Sequence, residues 1–290
     1  MFFHNSILGY NNLMENNAKQ LLLKYGVSPQ KKFGQNFLTD KNVLEKVIKA
    51  GNIDSGDIIL EIGAGTGTLT RELLKKAKKV IAVEKDPRMV EILKNSFKEI
   101  KNLEIVQKDI LKMEPPKKPY KIIANIPYYI VSPLIRKFLE VERKPILMVL
   151  IVQKEVSQRI CAVPPRMNLL AVCTQFYSDP KIISYISKKA FWPKPKVDSA
   201  IIEIKPKLKI VPHETFFKIV KAGFCHPRKQ VLNTLSLRLA LSSLNDVKSN
   251  KERIRAWLLK NKIKPTQRPE NLSVNDWIKL AKNYKGDIIK

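Results

Sequence analysis

A glycine-rich segment, LEIGAGTGTLT at residues 60–70, constrains the fold of this chain more than any other feature, because it joins an apolar run to a helical pattern. Gly63, Gly65 and Gly67 permit a tight turn and the close approach of a ligand to the backbone. A dinucleotide-binding turn requires glycine at its first, third and sixth positions, but Thr68 occupies the sixth. The segment therefore predicts a strand, a loop and a helix that hold a ligand other than a dinucleotide.

Short segments rich in isoleucine and valine recur along the chain, and most are separated by stretches long enough to form a helix. Such runs are typical of parallel strands that are buried on both faces. Asp40 is the expected N-cap of a helix that ends at Gly51. We predict five parallel strands and a closing pair, at DIILEIG, KVIAVE, LEIVQ, KIIAN, ILMVLIVQ, KIISYISKKAF and DSAIIEIKP. The expected fold class is α/β with a seven-stranded, mostly parallel sheet.

The composition changes at KPKLKIVPHE, residues 205–214, where prolines and lysines replace the strand pattern. Beyond this segment apolar residues repeat at helical spacing, as at Phe216, Val220 and Phe224. We therefore predict three parts in order along the chain: an N-terminal extension at 1–30, a main domain at 31–206 and a small helical domain at 207–290.

The chain is strongly basic, with 54 lysine and arginine residues against 26 aspartate and glutamate residues and a formal net charge of +28. An excess of this size is typical of proteins that bind polyanions, so nucleic acid is the leading class of partner. The alternative is a bias in genomic base composition, with many lysines that only solvate helix faces. Self-repulsion among so many positive charges, which a polyanion would relieve, favours the first interpretation.

The cysteines and the apolar runs indicate where the protein acts. Cys161, Cys173 and Cys225 are far apart and too few for a disulfide framework or a zinc site, so we expect a reducing compartment and no metal. The opening residues lack the basic and unbroken apolar regions of a signal peptide. The run at 146–152 is too short to cross a bilayer. We expect a cytoplasmic protein that does not bind membranes.

Polar residues follow three successive strands. The acid-x-Gly-x-Gly-x-Gly pattern of the glycine segment resembles motif I of class I S-adenosylmethionine-dependent methyltransferases. Glu84 ends the second strand, where a carboxylate can accept both ribose hydroxyl protons. Asp109 follows the third strand and can accept a hydrogen bond from an adenine amine. Because parallel strands meet at one edge, these residues predict a cofactor cleft there.

The fourth strand runs into Asn125, Ile126, Pro127 and Tyr128 at the same edge. An amide carbonyl can accept a proton of an adenine amine, which is a poor nucleophile because its lone pair is delocalised into the ring. Pro127 fixes the turn, and Tyr128 is a candidate stacking platform for a flipped base. The alternative is a turn whose tyrosines only cover the edge of the core. The cofactor cleft beside it favours the catalytic interpretation.

Segments spread over residues 30–280 together resemble the KsgA-type rRNA adenine N6-dimethyltransferases, with the Erm methyltransferases as related proteins. The resemblance lies in FGQNFLTD at 33–40, EIGAGTGTLT, NIPYYI, VQKEV at 152–156, FWPKPKVDSA at 191–200 and FCHPRKQVLNTL at 224–235. It implies a Rossmann-like class I methyltransferase fold with an all-α C-terminal domain. The implied cofactor is S-adenosylmethionine, with no metal.

The resemblance also implies roles for individual residues. Catalysis would involve Asn125, Pro127 and Tyr128. The cofactor would contact Asn36, the backbone at Leu38, Gly63, Gly65, Glu84, Asp109 and Asn125. Phe191 would pack against the target adenine opposite Tyr128, and Arg228 and Lys229 would contact RNA phosphates. Tyr129 departs from the family pattern, which commonly has asparagine at this position.

The implied activity is dimethylation of two adjacent adenosines in the 3′-terminal hairpin loop of small-subunit rRNA, by a monomer acting on immature small subunits. One alternative is an Erm-like dimethylase that acts on one adenosine of large-subunit rRNA. Ile126 is the residue more usual in Erm proteins at its position. Another is a non-catalytic RNA-binding assembly factor on the same fold. The three polar residues at the strand ends, Glu84, Asp109 and Asn125, favour an enzyme over a purely structural role.

Overall fold

The structure is a computed structural model that describes residues 18–207, 213–239 and 247–284. By its internal contacts the chain divides into two compact units. The sheet unit comprises the chain up to Ser157 together with Lys181–Pro206, and the helical unit comprises Gln158–Pro180 together with the chain from Lys207. Residues 1–17 of the predicted N-terminal extension lie outside the described residues, and the predicted domain boundaries remain predictions.

The predicted seven-stranded sheet is confirmed. Its order is β4-β3-β2-β5-β6-β9-β7, and β1 and β8 pair in a separate two-stranded sheet. Strands β2 to β6 run parallel to one another, whereas β9 is antiparallel to β6. The bounds are β1 Phe37–Leu38, β2 Ile58–Ile62, β3 Lys79–Glu84, β4 Leu103–Gln107, β5 Lys121–Asn125, β6 Leu147–Gln153, β7 Ser178–Ile186, β8 Phe191–Trp192 and β9 Ser199–Pro206.

The α-helices of the described residues occupy the intervals between strands and most of the C-terminal part. Their bounds are α1 Ala18–Lys24, α2 Lys41–Ala50, α3 Thr68–Leu74, α4 Pro87–Ser96, α5 Val131–Glu140, α6 Lys154–Ile160, α7 Leu169–Tyr177, α8 His213–Gly223, α9 Val231–Leu239, α10 Val247–Lys260 and α11 Val274–Lys282.

The central strands are buried along nearly their whole length. In β6 the six residues from Leu147 to Val152 are all buried, and β5 is buried from Lys121 to Ala124. Helices α2 and α3 pack against the residues of one face, which include Ile59, Ile123 and Val149. Burial on both faces explains why these strands appear in the sequence as continuous apolar runs without alternation.

Local capping fixes the start of the helices beside the sheet. The Asp40 carboxylate accepts a hydrogen bond from the Val43 amide at 3.1 Å, which confirms the predicted N-cap of α2. Asp86 caps α4 in the same way, and Pro87 occupies the first turn, where its missing amide proton costs nothing. These caps fix where α2 and α4 begin.

The helical unit has its own apolar core. The predicted helical face at Phe216, Val220 and Phe224 is buried. The ring of Phe216 stacks on Phe176 with centroids 3.9 Å apart. Phe176 belongs to α7, an apolar segment that the sequence left without an assigned element, and its N-cap is Asn168. Among the described residues no helix is long and apolar enough to cross a membrane.

The order of the strands determines where a ligand can bind. Strands β3 and β4 lie on one side of β2, whereas β5 and β6 lie on the other, so the winding of the sheet reverses between β2 and β5. In open parallel sheets the loops at such a reversal separate and leave a crevice outside the carboxyl ends of the strands. The glycine segment follows β2 at this point.

Candidate active site

A cavity of the sheet unit lies at the reversal of the strand order, at the carboxyl ends of β2, β3 and β5. Three loops form it: the loop before and through β1, the glycine loop after β2, and the turn after β5. Its lining residues are Phe33, Gly34, Gln35, Asn36, Phe37, Leu38, Glu61, Gly63, Ala64, Gly65, Thr66, Thr68, Leu69, Glu84, Asn125, Ile126, Pro127 and Tyr128. The cavity therefore brings together most of the residues that the sequence singled out.

The glycine loop needs residues without a side chain where it borders the cavity. Gly63 and Gly65 have φ angles of +71° and +56°, in the left-handed region. A Cβ at Gly65 would lie 3.0 Å from the Phe37 ring, and one at Gly63 would lie 3.5 Å from the Asn125 carbonyl oxygen. The loop thus presents bare backbone to the cavity, as a closely bound ligand requires.

Glu84 is held rigidly at the end of β3. Its carboxylate accepts hydrogen bonds from the backbone amides of Gly65, Lys85 and Asp86 at 2.7–2.9 Å. Burial raises the pKa of Glu84, and the three amide hydrogen bonds oppose that rise. Two of the bonds go to Oε1 and one to Oε2, so Oε2 retains the capacity to accept a proton from a ligand hydroxyl.

Asp109 is not among the residues that line the cavity. Its Oδ2 accepts a hydrogen bond from the Lys85 ammonium at 2.9 Å, and its Oδ1 accepts one from the Leu111 amide at 3.0 Å. The hydrogen bond from Lys85 lowers the pKa of Asp109, so the carboxylate is ionised at neutral pH. The predicted adenine contact remains a prediction, and in this conformation Lys85 occupies one oxygen of the expected acceptor.

Asn125 is oriented by the loop that precedes β1. Its Nδ2 donates a hydrogen bond to the backbone carbonyl of Asn36 at 3.0 Å. That bond uses the donor end of the amide, so Oδ1 is the end available to an incoming N–H group. Gln35 anchors the same loop by donating to the Asp86 carboxylate at 2.9 Å. This hydrogen bond brings together two residues that were each expected at the cofactor.

Pro127 and Tyr128 follow Asn125 along the edge of the cavity. The Tyr128 hydroxyl lies 2.9 Å from the Ser199 Oγ, which fixes the phenol at its outer end. Burial raises the pKa of Tyr128, so the phenol is neutral at physiological pH. A neutral ring with a fixed hydroxyl is suited to packing against a base and not to acting as a proton acceptor.

Phe191 does not reach the cavity. Phe191 is only 4% exposed, and its backbone pairs with that of Leu38 in the two-stranded sheet of β1 and β8. The ring belongs to the main apolar core of the sheet unit. Contact with a base, as predicted, would require this side chain to leave the core. Leu38 itself lines the cavity, as expected.

Arg228 and Lys229 belong to the helical unit, between α8 and α9, and both are exposed. The Lys229 amide donates to the His226 carbonyl at 3.0 Å, which closes a turn that presents both side chains to solvent. Their predicted contact with phosphates remains a prediction.

Glu61 is a residue of the site that sequence analysis used only as part of the glycine pattern. It lies in β2, is 1% exposed and lines the cavity, and its Oε2 has no hydrogen-bond partner among the described residues. Burial raises the pKa of Glu61 to about 8, with a smaller contribution from the Glu84 carboxylate, and hydrogen bonding with Thr70 opposes the rise. An unpaired buried carboxyl oxygen is costly, and a cationic ligand group in the cavity would offset that cost. In the sequence, the acid that opens the glycine pattern was the signal that could have identified Glu61 as a site residue.

Known proteins closely resemble this chain. A model of the ribosomal RNA adenine dimethylase family matches residues 27–285. The ribosomal RNA small subunit methyltransferase A of Dehalococcoides mccartyi is 40% identical over 276 residues, which are 92% of each chain. The protein of the same name from Clostridioides difficile is 37% identical over 280 residues, 92% of this chain and 94% of that one.

Two solved structures of rRNA-modifying or adenosine-modifying methyltransferases are similar to this chain. A dimethyladenosine transferase from Plasmodium falciparum has a TM-score of 0.70 at 30% identity, covering 84% of this chain and 95% of that one. The 23S rRNA methyltransferase ErmE has a TM-score of 0.69 at 25% identity, covering 85% and 98%. The strand order and the glycine loop define a Rossmann-like methyltransferase. Within that class, the chain belongs to the ribosomal RNA adenine dimethylase family.

The raised pKa of Glu61 predicts a pH dependence of stability. Because the pKa in the folded state is about 8 and the ordinary value is 4.5, the folded protein holds this proton more tightly than the unfolded chain. The stability that protonated Glu61 contributes is complete below pH 4.5 and is lost as the pH rises through 8. Glu61→Gln, which cannot ionise, should gain stability relative to the unchanged protein over this window, by at most about 1.4 kcal/mol per pH unit.

Urea denaturation of both proteins between about pH 5 and pH 9 measures this difference, and groups common to both cancel in the comparison. Parallel stability curves for the two proteins would contradict the prediction.

Proposed function

We propose that the protein is an S-adenosylmethionine-dependent rRNA adenine N6,N6-dimethyltransferase that dimethylates two adjacent adenosines in the 3′-terminal hairpin loop of small-subunit rRNA. The single observation that carries this proposal is the 40% identity to a ribosomal RNA small subunit methyltransferase A over 92% of both chains. The presence of Asn125, Pro127 and Tyr128 at the edge of the cavity supports an active enzyme over an assembly factor without catalysis.

The residues of the cavity fit S-adenosylmethionine. The unpaired Oε2 of Glu61 suits the positive charge of the methionine portion, and the bare backbone at Gly63 and Gly65 allows its close approach. The free lone pair of Glu84 Oε2 suits the ribose hydroxyls. Asn36 and the Leu38 backbone would close the site from the loop before α2. Asp109 would accept a hydrogen bond from the adenine amine once Lys85 gives up one of its oxygens.

The chain then prepares a weak nucleophile for methyl transfer. S-adenosylmethionine supplies an electrophilic methyl group on a sulfonium centre. The Asn125 Oδ1 accepts one proton of the target amine, and the backbone carbonyl near Pro127 accepts the other. These two hydrogen bonds draw the nitrogen lone pair out of conjugation with the ring. No charged base is required, because the nitrogen becomes acidic only as the new bond forms, and its proton then passes to solvent.

Binding geometry supplies most of the remaining rate enhancement. Holding the amine and the methyl group in line can contribute up to about 7 to 11 kcal/mol in favourable cases. Tyr128, fixed by Ser199, would stack on the flipped adenine, which is worth about 1 to 3 kcal/mol per base in single-strand binders. Phe191 would contribute to the same pocket only after a rearrangement.

The charge of the chain suits a ribosomal substrate. A net charge of +28 would neutralise phosphates, and Arg228 and Lys229 would add contacts that give affinity and salt dependence without sequence choice. We propose that the protein acts as a monomer on immature small ribosomal subunits in the cytoplasm, with no metal.

One assay tests the proposal. The protein and S-adenosylmethionine with a labelled methyl group are incubated with undermethylated small subunits and, separately, with large-subunit rRNA, and dimethyladenosine is then mapped. We expect label in two adjacent adenosines of the small-subunit RNA. Label only in large-subunit RNA would favour the ErmE-like alternative, with which the chain shares its fold at 25% identity. No label in either RNA would favour a binding factor.

A further inference from the structure

Tyr129 is a large apolar side chain left in solvent beside the cavity. It is 60% exposed, whereas its neighbours Ile126 and Val131 are 2% and 1% exposed. Exposed aromatic residues are rarely needed for stability, because burying a ring is what makes it stabilising. An exposed tyrosine next to a catalytic turn is therefore a candidate for contact with a partner.

The position of Tyr129 relative to Tyr128 follows from local geometry. Both lie in a short 3-10 helix at Tyr128–Ile130. Successive residues of a 3-10 helix point about 120° apart, because the helix has about 3 residues per turn. Tyr128 turns inward, where its hydroxyl meets Ser199, and Tyr129 turns outward. Two adjacent rings thus face the inside and the outside of the same edge.

The Tyr129 ring is supported from one side. Its Cε1 lies 3.5 Å from the place that a Cβ at Gly34 would occupy, so one edge of the ring rests on glycine backbone. Gly34 lines the cavity, and Tyr129 is not among the lining residues. The ring therefore lies immediately outside the cavity, held against the loop that also orients Asn125 through the Asn36 carbonyl.

The loop that supports this ring carries a lysine beside an aromatic side chain. The Lys32 ammonium lies 5.0 Å from the centroid of the Phe33 ring, one residue before Gly34. Aromatic faces next to lysines are the combination that binds single-stranded nucleic acid, because bases stack on the ring and phosphates are neutralised nearby.

We propose that Tyr129 is the stacking platform for the base adjacent to the adenosine in the cavity. This inference rests on the proposed function and extends it, because it assigns a subsite to the second of the two adjacent nucleotides. Tyr128 would hold the base that reacts, and Tyr129 would hold its neighbour outside the cavity. The subsite takes an unpaired purine of RNA, through the face of the ring and not through the hydroxyl.

Steady-state kinetics on undermethylated small subunits test the proposal. Tyr129→Ala should raise KM for the subunit about 5- to 160-fold, the range of a lost base stack, while the Kd for S-adenosylmethionine stays within about twofold. Tyr129→Phe should retain the KM of the unchanged protein, because the ring is preserved. Tyr185→Ala is the matched control, since Tyr185 is 51% exposed in the same unit, and it should leave KM unchanged.

A spectroscopic measurement gives an independent readout. In a synthetic 3′-terminal hairpin RNA, 2-aminopurine replaces the adenosine that neighbours the reacting one. The fluorescence of this probe is followed as the protein binds. Quenching that is present with the unchanged protein and Tyr129→Phe, and lost with Tyr129→Ala, supports the stack.

Three outcomes would overturn the inference. They are an unchanged KM and quench in Tyr129→Ala, an equal loss of subunit affinity in Tyr185→Ala, and a change mainly in the Kd for S-adenosylmethionine. Labelling of small subunits by the unchanged protein is scored separately. Its absence would reject the proposed function, whereas normal labelling with an unaffected Tyr129→Ala would reject only this subsite.

Discussion

Asn125→Ala is expected to lower kcat for methyl transfer by about 100- to 1,000-fold, the usual effect of removing one preorganised hydrogen-bonding group from a reacting centre. The variant loses the Oδ1 acceptor that the Asn36 carbonyl orients through a 3.0 Å hydrogen bond to Nδ2. Affinity for S-adenosylmethionine should fall by less than about tenfold, because Glu61, Glu84 and the glycine loop are unchanged. Single-turnover labelling of small subunits measures the first quantity, and calorimetry measures the second.

Glu84→Ala is the comparison for this experiment. It removes a carboxylate that organises three backbone amides and faces the expected ribose, so it should weaken S-adenosylmethionine binding more than Asn125→Ala does. Thermal unfolding of both variants separates a loss of binding from a loss of folded protein. An equal loss of affinity in the two variants would show that Asn125 mainly holds the cofactor.

Gly67→Ala is expected to destabilise the sheet unit by about 2 to 5 kcal/mol. Gly67 is the N-cap residue of α3 with a φ angle of +81°, where an L-residue costs about 1 to 2 kcal/mol. In addition, a Cβ would lie 2.5 Å from the Phe97 ring, in a part of the core that is fully packed. Overpacking of this kind adds about 1 to 3 kcal/mol. Urea denaturation followed by circular dichroism measures the total.

Gly26→Ala provides the matched control, because Gly26 has a φ angle of +62° but no atom within 4 Å of the position that a Cβ would occupy. It shares the backbone strain of Gly67 without the clash, so its loss should be confined to about 1 to 2 kcal/mol. Similar losses at both positions would mean that Phe97 moves aside freely and that the third glycine serves only backbone conformation.

The strands were the most predictable part of this protein. The segments KVIAVE, LEIVQ and KIIAN coincide with β3, β4 and β5. Strands β3 and β5 are buried along nearly their whole length, and such strands appear as apolar runs. The N-cap at Asp40 was equally predictable, since a cap depends on neighbouring residues alone. Helix α7 was not assigned, because a short apolar run has no periodicity that separates a helix from a strand.

The site was predictable where it follows strand ends. Glu84 and Asn125 line the cavity because parallel strands bring their carboxyl ends to one edge. Phe191 and Asp109 were expected at the ligand, but the first is buried in the core and the second is paired with Lys85. Those outcomes depend on which side chains, far apart in the sequence, meet in the folded structure. A sequence motif does not specify these neighbours.

By itself the sequence determined the α/β class, the positions of the strands, the glycine loop and the chemical character of the residues that follow each strand, because these depend on local pattern and on the fixed hand of parallel crossovers. Only the tertiary structure decided that Asn36 orients Asn125, that Glu61 is left with an unpaired buried oxygen, and that Tyr128 turns inward while Tyr129 turns outward. The physical reason is that hydrogen-bond partners and burial are set by residues far apart in the chain, and they exist only once the loops around β1, β2 and β5 have come together.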